Sequence, residues 1–373
     1  MPSFHDKLRP AETRKLLALD GGGIRGMITI EVLARIEAVL QERLGRGDDF
    51  VLADYFDYVS GTSTGAIIAT CVSLGMRVED IRSFYIESGP AMFDPASLLR
   101  KFHYKFEHEP LAEKLKNVVG EDTTLGSERL RTLLMIVLRN ATTDSPWPLS
   151  NNPAAMFNAS GSRGCNLDFS LWQLVRASTA APTFFPPEVI QVGDRGFVFV
   201  DGGVTMYNNP AFHLFLMATV QPYNLNWPSG AEKMLLVSIG TGTAAEANEN
   251  LLPGEMNLLY NTSSIPSALM LAALNEQDFL CRTFGKCVVG DILDGEVGDM
   301  IGAAGPAMPK LFTYARYNAD LTSDGMNALG IAGVDPIKAR RLDAIDSIGD
   351  LQKIGRAVGQ KRVSADHFKG FLS

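Results

Sequence analysis

The sequence is poor in histidine, cysteine and tryptophan, and it has no surplus of positive charge. Its 373 residues include five His, four Cys and three Trp, and the formal net charge is −8. An acidic chain of this kind does not favour nucleic-acid binding or electrostatic capture by anionic membranes. The cysteines are scattered, and the spacing of the nearest two, Cys281 and Cys287, fits neither a zinc site nor a redox pair. We therefore expect free thiols, a reducing compartment and no metal site.

Long apolar segments are also absent. No run of about 18 apolar residues occurs, so the sequence predicts no transmembrane helix. Residues 1–14 form a polar leader without the apolar core of a signal peptide. With 46% hydrophobic and 20% charged residues, the composition is that of a globular protein with a large core. We therefore expect a cytoplasmic protein, and any membrane contact should be local and largely apolar.

Glycine is plentiful, and two glycine-rich turns follow short apolar runs. Residues 15–19 (KLLAL) lead into DGGG and then into helical periodicity over 27–44. Residues 55–60 (YFDYVS) lead into GTSTG and then into a small-residue helix over 66–74. Two successive strand–turn–helix units predict an α/β fold with a mostly parallel sheet and helices on its faces. Further strands are predicted over 133–138, 196–200 and 234–239.

The expected organisation is a leader (1–14), an α/β domain (15–290) and a mainly helical C-terminal extension (291–373). Within the α/β domain, residues of about 80–128 are a candidate cap or lid. Aromatic residues alternate with Lys and Arg near 90–110, which suits a lipid headgroup boundary, although a cap helix packed on the core would show the same pattern. Residues 140–165, rich in Asn, Ser and Pro, predict a long surface loop.

Gly61-x-Ser63-x-Gly65 matches the nucleophile elbow of serine hydrolases. A serine at a sharp strand-to-helix turn has strained backbone angles, so small residues must flank it. Its hydroxyl then projects at the carboxyl end of the strand, beside a helix N-terminus that favours developing negative charge. An incidental Gly-Ser-Gly turn would have the same letters, but the strand–turn–helix context favours a nucleophile.

The segment from Gly21 to Gly26 fits G-x-G-x-x-G, the pattern of dinucleotide-binding loops. An NAD(P)-dependent oxidoreductase is therefore the alternative interpretation. Against it, Asp20 would place negative charge beside a pyrophosphate, and the acidic residues 48 and 49 precede a strand rather than follow one. Successive exposed backbone amides also form oxyanion holes, and we favour that use for Gly22 and Gly23.

A serine hydroxyl needs a base to become a good nucleophile. Asp201-Gly202-Gly203 follows the strand predicted over 196–200, at the sheet edge where functional groups collect in α/β proteins. His213 comes next in the Ser–Asp–His order of α/β-hydrolases, but it lies among apolar residues of a predicted helix. We favour Asp201 acting directly on Ser63, with a triad through His213 left open.

Taken together, DGGGIRG (20–26), GTSTG (61–65) and DGG (201–203) resemble, in this order, the motifs of the patatin-like phospholipases. Residues 178–187 (STAAPTFFPP) are similar to the SAAPTYFP segment of that family. The resemblance covers roughly residues 15–290. It implies a three-layer α/β/α sandwich, a Ser63–Asp201 dyad, and hydrolysis of glycerolipid acyl esters without metal or cofactor. The supporting positions carried over from the motifs are Gly21, Arg25, Gly26, Gly61, Gly65, Gly202 and Gly203.

The resemblance also bears on partners. Residues 314–318 (YARYN) resemble bacterial members, some of which are membrane-degrading effectors activated by a cyclic nucleotide, so a regulatory small ligand is left open. A glycerolipid or phospholipid substrate implies peripheral contact with a membrane surface. The oligomeric state does not follow from the sequence, and a non-catalytic protein of the same fold is a further alternative.

Overall fold

The computed structural model describes residues 4–93, 110–159, 164–182, 184–243 and 258–372. The strands of this part of the chain are β1 (Arg14–Leu19), β2 (Tyr58–Thr62), β3 (Leu133–Asn140), β4 (Ser145–Ser150), β5 (Glu188–Val192), β6 (Arg195–Asp201), β7 (Met234–Ile239), β8 (Lys286–Val289) and β9 (Thr313–Tyr317). The helices are α1 (Phe4–Leu8), α2 (Gly26–Arg43), α3 (Leu52–Tyr55), α4 (Thr64–Ser73), α5 (Val78–Phe93), α6 (Pro110–Val119), α7 (Leu171–Ser178), α8 (Ala211–Thr219), α9 (Leu258–Phe284), α10 (Ser323–Ala328), α11 (Pro336–Arg340) and α12 (Ile348–Arg362).

All of these strands belong to one mixed sheet, in the order β5-β6-β3-β2-β1-β7-β9-β8, with β4 paired to β3 outside this path. The pairings from β3 through β2, β1, β7 and β9 to β8 are parallel. Strands β4, β5 and β6 join at one side through antiparallel pairs. The mostly parallel sheet predicted from the two strand–turn–helix units is confirmed.

Helices cover both faces of the sheet because the central strands are apolar on both sides. In β1, Leu17 and Leu19 belong to the core cluster that contains residues of α2, α4 and α12. Leu16 and Ala18 point to the other face, into the cluster with α8. Burying a leucine side chain contributes about 1.5–3 kcal/mol, so this two-sided burial fixes the register of the strand strongly. The fold is the predicted three-layer α/β/α sandwich.

Strand β3 brings two distant strand ends together. Strand β4 pairs with residues 135–140 along one edge of β3. Strand β2 pairs with residues 133–137 and β6 with residues 138–140, so both must lie on the opposite edge. Since β2 runs parallel to β3 and β6 runs antiparallel, their carboxyl ends meet. Thr62 lies opposite Val137, and Asp201 lies opposite Leu138.

Four strands were not predicted from the sequence, namely β4, β5, β8 and β9. Strand β4 lies in the segment 140–165 that was expected to be a long loop, and that expectation was wrong for residues 145–150. Strand β9 lies within the residues expected to form a mainly helical extension, and it pairs between β7 and β8 inside the sheet. Helices α10 to α12 are nevertheless present in that region.

Residues 94–109 of the candidate lid, which make up most of its aromatic and basic stretch near 90–110, lie outside the described residues. Helix α5 ends at Phe93, and α6 begins at Pro110. The described parts of these helices contribute buried side chains, such as Tyr85 and Leu115, to the core. The lid therefore stays a prediction. In the part of the chain that the structure describes, no helix has both the length and the apolar character needed to cross a bilayer. All four cysteines are buried and unpaired, as expected.

Candidate active site

Ser63 lies at the turn between β2 and α4 in a backbone conformation that non-glycine residues rarely adopt, with φ 55° and ψ −124°. The flanking glycines are required by packing. A Cβ atom on Gly61 would lie 2.1 Å from the carbonyl oxygen of Gly65, and one on Gly65 would lie 2.3 Å from that of Leu19. The strained serine and its two glycines have the geometry of a nucleophile elbow.

Asp201 lies directly beside the serine at the end of β6. The Ser63 Oγ donates a hydrogen bond to Asp201 Oδ2 at 2.7 Å. The other carboxylate oxygen, Oδ1, accepts from the backbone N–H of Gly203 at 2.6 Å. A Cβ atom on Gly202 would lie 2.2 Å from the carbonyl oxygen of Val137, so a glycine is needed where the chain turns against β3. The structure thus brings the two predicted side chains into direct contact.

Burial changes the acid–base properties of Asp201. The side chain is in the core, and loss of solvation raises its pKa to about 6, against the opposing effects of the hydrogen bonds from Ser63 and Gly203 and of the charge on Arg176. A carboxylate with this pKa is still ionised at neutral pH, and it accepts a proton more readily than an ordinary aspartate. Asp201 therefore has the position and the basicity to take the Ser63 proton.

Ser178, at the end of α7, holds the elbow against β3. Its hydroxyl donates to the carbonyl oxygen of Val137 at 2.7 Å and accepts from the backbone N–H of Ser63 at 2.9 Å. Two residues further on, the Ala180 carbonyl oxygen accepts from the Asp201 backbone N–H at 3.0 Å. The sequence drew attention to the segment 178–187 through its family resemblance but gave no sign that its first serine bridges the nucleophile to the sheet.

The glycine-rich loop after β1 lies beside the nucleophile. A Cβ atom on Gly21 would lie 3.2 Å from the Cβ of Ser63. The backbone N–H of Gly21 donates to the Asn208 carbonyl oxygen at 3.0 Å, and that of Ile24 donates to the Leu342 carbonyl oxygen at 2.9 Å. The N–H groups of Gly22 and Gly23 have no acceptor among the described residues, and both glycines are only partly buried. These two amides are free to bind an oxyanion.

A buried ion pair anchors the start of this loop. Arg316 of β9 binds Asp20 through two hydrogen bonds of 2.9 and 2.5 Å, and both side chains are almost completely buried. The same guanidinium also donates to Ser238 Oγ at 2.7 Å. Bidentate Arg–carboxylate pairs fix geometry as well as charge. The sequence alone did not reveal this pair, because its partners are 296 residues apart.

Among the described residues, neither Arg25 nor His213 forms a hydrogen bond with the dyad. The Arg25 guanidinium donates to the Arg340 carbonyl oxygen at 3.3 Å, and burial lowers its pKa to about 10. The His213 ring stacks on Tyr207 with centroids 4.2 Å apart, and burial lowers its pKa to about 4. Neither ring nitrogen of His213 has a hydrogen-bond partner in the described structure. Gly26 is packed against Thr64, whose Oγ1 would lie 2.6 Å from an added Cβ.

The described residues contain no group of three or more His, Cys, Asp or Glu side chains placed to bind a metal ion.

The model of the patatin-like phospholipase family matches residues 17–215, which is more than half of the chain and contains all three motifs. The chain belongs to this family. Patatin-T5 of Solanum tuberosum is 31% identical over 248 residues, and Patatin-17 of Solanum cardiophyllum is 32% identical over 255 residues. Each alignment covers 62% of this chain and 61% of the relative, so the chain spans less than two thirds of these relatives.

Solved structures with a similar arrangement are more distant. Human GIVD cytosolic phospholipase A2 in complex with methyl gamma-linolenyl fluorophosphonate aligns over 99% of this chain and 61% of that chain, at 12% identity and a TM-score of 0.46. VipD from Legionella pneumophila aligns over 92% of this chain and 67% of that chain, at 15% identity and a TM-score of 0.33. Likenesses this distant carry no conclusion about the chemistry of this chain.

Proposed function

We propose that this protein is a lipid acyl hydrolase that cleaves acyl esters of glycerolipids, phospholipids among them, with Ser63 as nucleophile and Asp201 as base. The observation that carries the proposal is the 2.7 Å hydrogen bond from the strained elbow serine to a buried carboxylate. Family membership supports the lipid substrate. A direct Ser–Asp dyad needs no histidine, which agrees with the lack of a hydrogen-bond partner for either ring nitrogen of His213 among the described residues.

In the acylation step, Asp201 accepts the hydroxyl proton while Ser63 Oγ attacks the ester carbonyl carbon. The resulting oxyanion accepts hydrogen bonds from the free N–H groups of Gly22 and Gly23, and donors of this kind are worth about 3 kcal/mol each in comparable sites. When the tetrahedral intermediate collapses, Asp201 returns the proton to the leaving alcohol or lysolipid. The acyl group then remains on Ser63 as an ester.

In the second step, water hydrolyses the acyl-enzyme. Asp201 takes one proton from the water as its oxygen attacks the acyl carbonyl, and the same two amides bind the second oxyanion. Collapse releases the fatty acid, and the proton on Asp201 passes to Ser63 Oγ. The dyad is then restored without a metal or cofactor.

Exposed apolar side chains on segments next to the dyad support access by lipid. Phe184, six residues after Ser178, is exposed, as are Val204, Met206 and Leu342. Val204 and Met206 follow directly after the Asp201 turn, and Leu342 packs against Gly23. We propose that these side chains contact the acyl chains of a membrane surface, so that the enzyme acts there as a peripheral protein.

The test of the proposal is covalent labelling combined with hydrolysis of a short soluble ester and of phospholipid vesicles. Ser63→Ala should abolish both hydrolytic activities and fluorophosphonate labelling. Ser60→Ala, in the same strand, is the matched control and should leave both intact, because among the described residues its hydroxyl hydrogen-bonds only to the Leu17 carbonyl oxygen, at 3.4 Å. Retained hydrolysis by Ser63→Ala would overturn the scheme. Loss of activity in a folded His213→Ala variant would replace the dyad with a triad.

A further inference from the structure

The carboxamide of Asn208 lies between the two loops that carry the proposed catalytic groups. A Cβ atom on Gly21 would lie 2.3 Å from Asn208 Oδ1 and 3.2 Å from the Cβ of Ser63. A Cβ atom on Gly203 would lie 3.1 Å from the same Oδ1 and 3.0 Å from Asp201 Oδ1. The Asn208 side chain is therefore a near neighbour of both the nucleophile and the base.

The backbone around Asn208 is held firmly in this position. Its carbonyl oxygen accepts from the Gly21 N–H at 3.0 Å, and the preceding carbonyl oxygen, of Tyr207, accepts from Thr62 Oγ1 at 2.6 Å. These bonds tie the segment to the glycine loop and to the last residue of β2. The side chain is consequently placed by its backbone and not by hydrogen bonds of its own.

The Asn208 Oδ1 is buried and has no hydrogen-bond partner among the described residues, and the residue is only 5% exposed. Leaving a buried polar atom unpaired costs about 1–3 kcal/mol, so such an atom in a folded protein calls for an explanation. The neighbouring Asn209 differs, because its Oδ1 accepts from the Ala211 N–H at 3.1 Å and from Ser238 Oγ at 3.4 Å. The Asn209 Oδ1 is thus paired within the fold, although its Nδ2 has no partner among the described residues, whereas the Asn208 Oδ1 has no donor at all there.

The proposed reaction supplies a donor for this acceptor. In the acyl-enzyme, Ser63 Oγ is esterified and no longer donates to Asp201, so a water molecule takes that place. The water has two O–H bonds, one directed to the base and one that needs a second acceptor. We infer that Asn208 Oδ1 is this acceptor, and that Asn208 orients the hydrolytic water for attack on the acyl carbonyl.

In this step the water oxygen forms a bond to the acyl carbon, one water proton passes to Asp201, and the other stays on the attacking oxygen while hydrogen-bonded to Asn208. Collapse breaks the bond between the acyl carbon and Ser63 Oγ, which recovers the proton from Asp201. The inference rests on the proposed hydrolase function. It assigns Asn208 to deacylation and leaves acylation to the dyad and the glycine amides.

The test separates the two half-reactions with a 4-nitrophenyl ester. Asn208→Ala should keep the burst of nitrophenolate and the rate of fluorophosphonate labelling. Its deacylation should slow about tenfold, equivalent to about 1.4 kcal/mol, and the acyl adduct should accumulate on the intact protein in mass spectra. Asn208→Asp retains an acceptor and should deacylate faster than Asn208→Ala, with its pH profile displaced upward by the added negative charge.

The matched control is Asn209→Ala, which removes an adjacent carboxamide that has structural partners. It should lower the melting temperature without changing the ratio of acylation to deacylation rates. Equal slowing of both half-reactions in Asn208→Ala, or slower fluorophosphonate labelling, would overturn the inference by assigning Asn208 to the oxyanion site or to the fold. An unchanged deacylation rate would overturn it as well. If the wild-type protein forms no acyl adduct on Ser63, the proposed function fails instead.

Discussion

Replacing Asp201 by asparagine should stabilise the protein at neutral pH while it abolishes activity. The amide keeps an oxygen to accept from the Gly203 N–H, and its NH2 group can donate to Ser63 Oγ, so both hydrogen bonds of the carboxylate are retained in altered form. What the substitution removes is a negative charge in a buried position. Proteins commonly sacrifice stability at an active site in this way.

The magnitude follows from the pKa of Asp201, which burial raises from 3.8 to about 6. Between these pH values the folded state binds more protons than the unfolded state, so wild-type stability falls as the pH rises through this window and levels off above it. A difference of about two pKa units corresponds to about 3 kcal/mol. Asp201→Asn lacks this titration and should be more stable by up to that amount at pH 7–8, with the difference vanishing below about pH 4.

Thermal unfolding measured from pH 4 to pH 8 is the assay. For a chain of this length, about 3 kcal/mol corresponds to a rise of about 3–6 °C in Tm at pH 8. The wild-type kcat/KM should fall on the acid side with a midpoint near pH 6, because the protonated carboxyl is no longer a base. Asp278→Asn is a control for which the opposite change in Tm is expected. It breaks a buried ion pair with Arg282, whose atoms are 2.6 Å apart, and should therefore lower Tm. Parallel Tm curves for wild type and Asp201→Asn would refute the reasoning.

Two further substitutions test the supports of the site. Ser178→Ala leaves the Ser63 N–H and the Val137 carbonyl oxygen unpaired. We therefore expect kcat to fall about tenfold with KM nearly unchanged, and the free energy of unfolding to drop by about 1–3 kcal/mol. An unchanged kcat would show that the elbow does not need this bridge. Arg316→Met leaves the Asp20 carboxylate buried without its partner, which should cost about 3–5 kcal/mol by denaturant unfolding. Adding Asp20→Asn to Arg316→Met should recover part of that loss, and no recovery would contradict the pairing.

The local parts of the fold could be predicted because each is encoded within about 20 consecutive residues. The two strand–turn–helix units and their glycine turns are of this kind. Strand β4 was missed because Pro146 and Pro148 interrupt its pattern. The Asn151 N–H donates to the Leu134 carbonyl oxygen of β3, and the backbone nitrogens two and four residues earlier face β3 in the same way. The nitrogens of the two prolines lie at the alternate positions and face away from β3, which an edge strand tolerates. Strand β9 was missed because its short, mixed segment becomes a strand only when β7 and β8 flank it.

The residues of the candidate site also differ in whether the sequence alone could identify them. Ser63 follows from its motif, because backbone strain at an elbow imposes glycines two residues before and after it. The glycines of the loop after β1 were also singled out from the sequence. Asp201 has no such local mark, and its choice depended on family resemblance as well as on the need for a base. The roles of Ser178, Asn208 and Arg316 depend on atoms that only tertiary structure brings together, so no spacing in the sequence could indicate them.

The meeting of β2 and β6 on one edge of β3 has a consequence for how this family can vary. Ser63 and Asp201 are 138 residues apart in the chain, yet their separation in space is set by neighbouring positions of a single strand. Insertions in the loops that carry none of the residues holding the elbow would leave the dyad intact. One residue inserted between Val137 and Leu138 would displace Asp201 by about 3.3 Å and reverse the faces of the strand beyond it. Length variation should therefore be tolerated in the connecting loops, but not within β3 or between Ser178 and Ala180, which hold Ser63 and Asp201 through their hydrogen bonds.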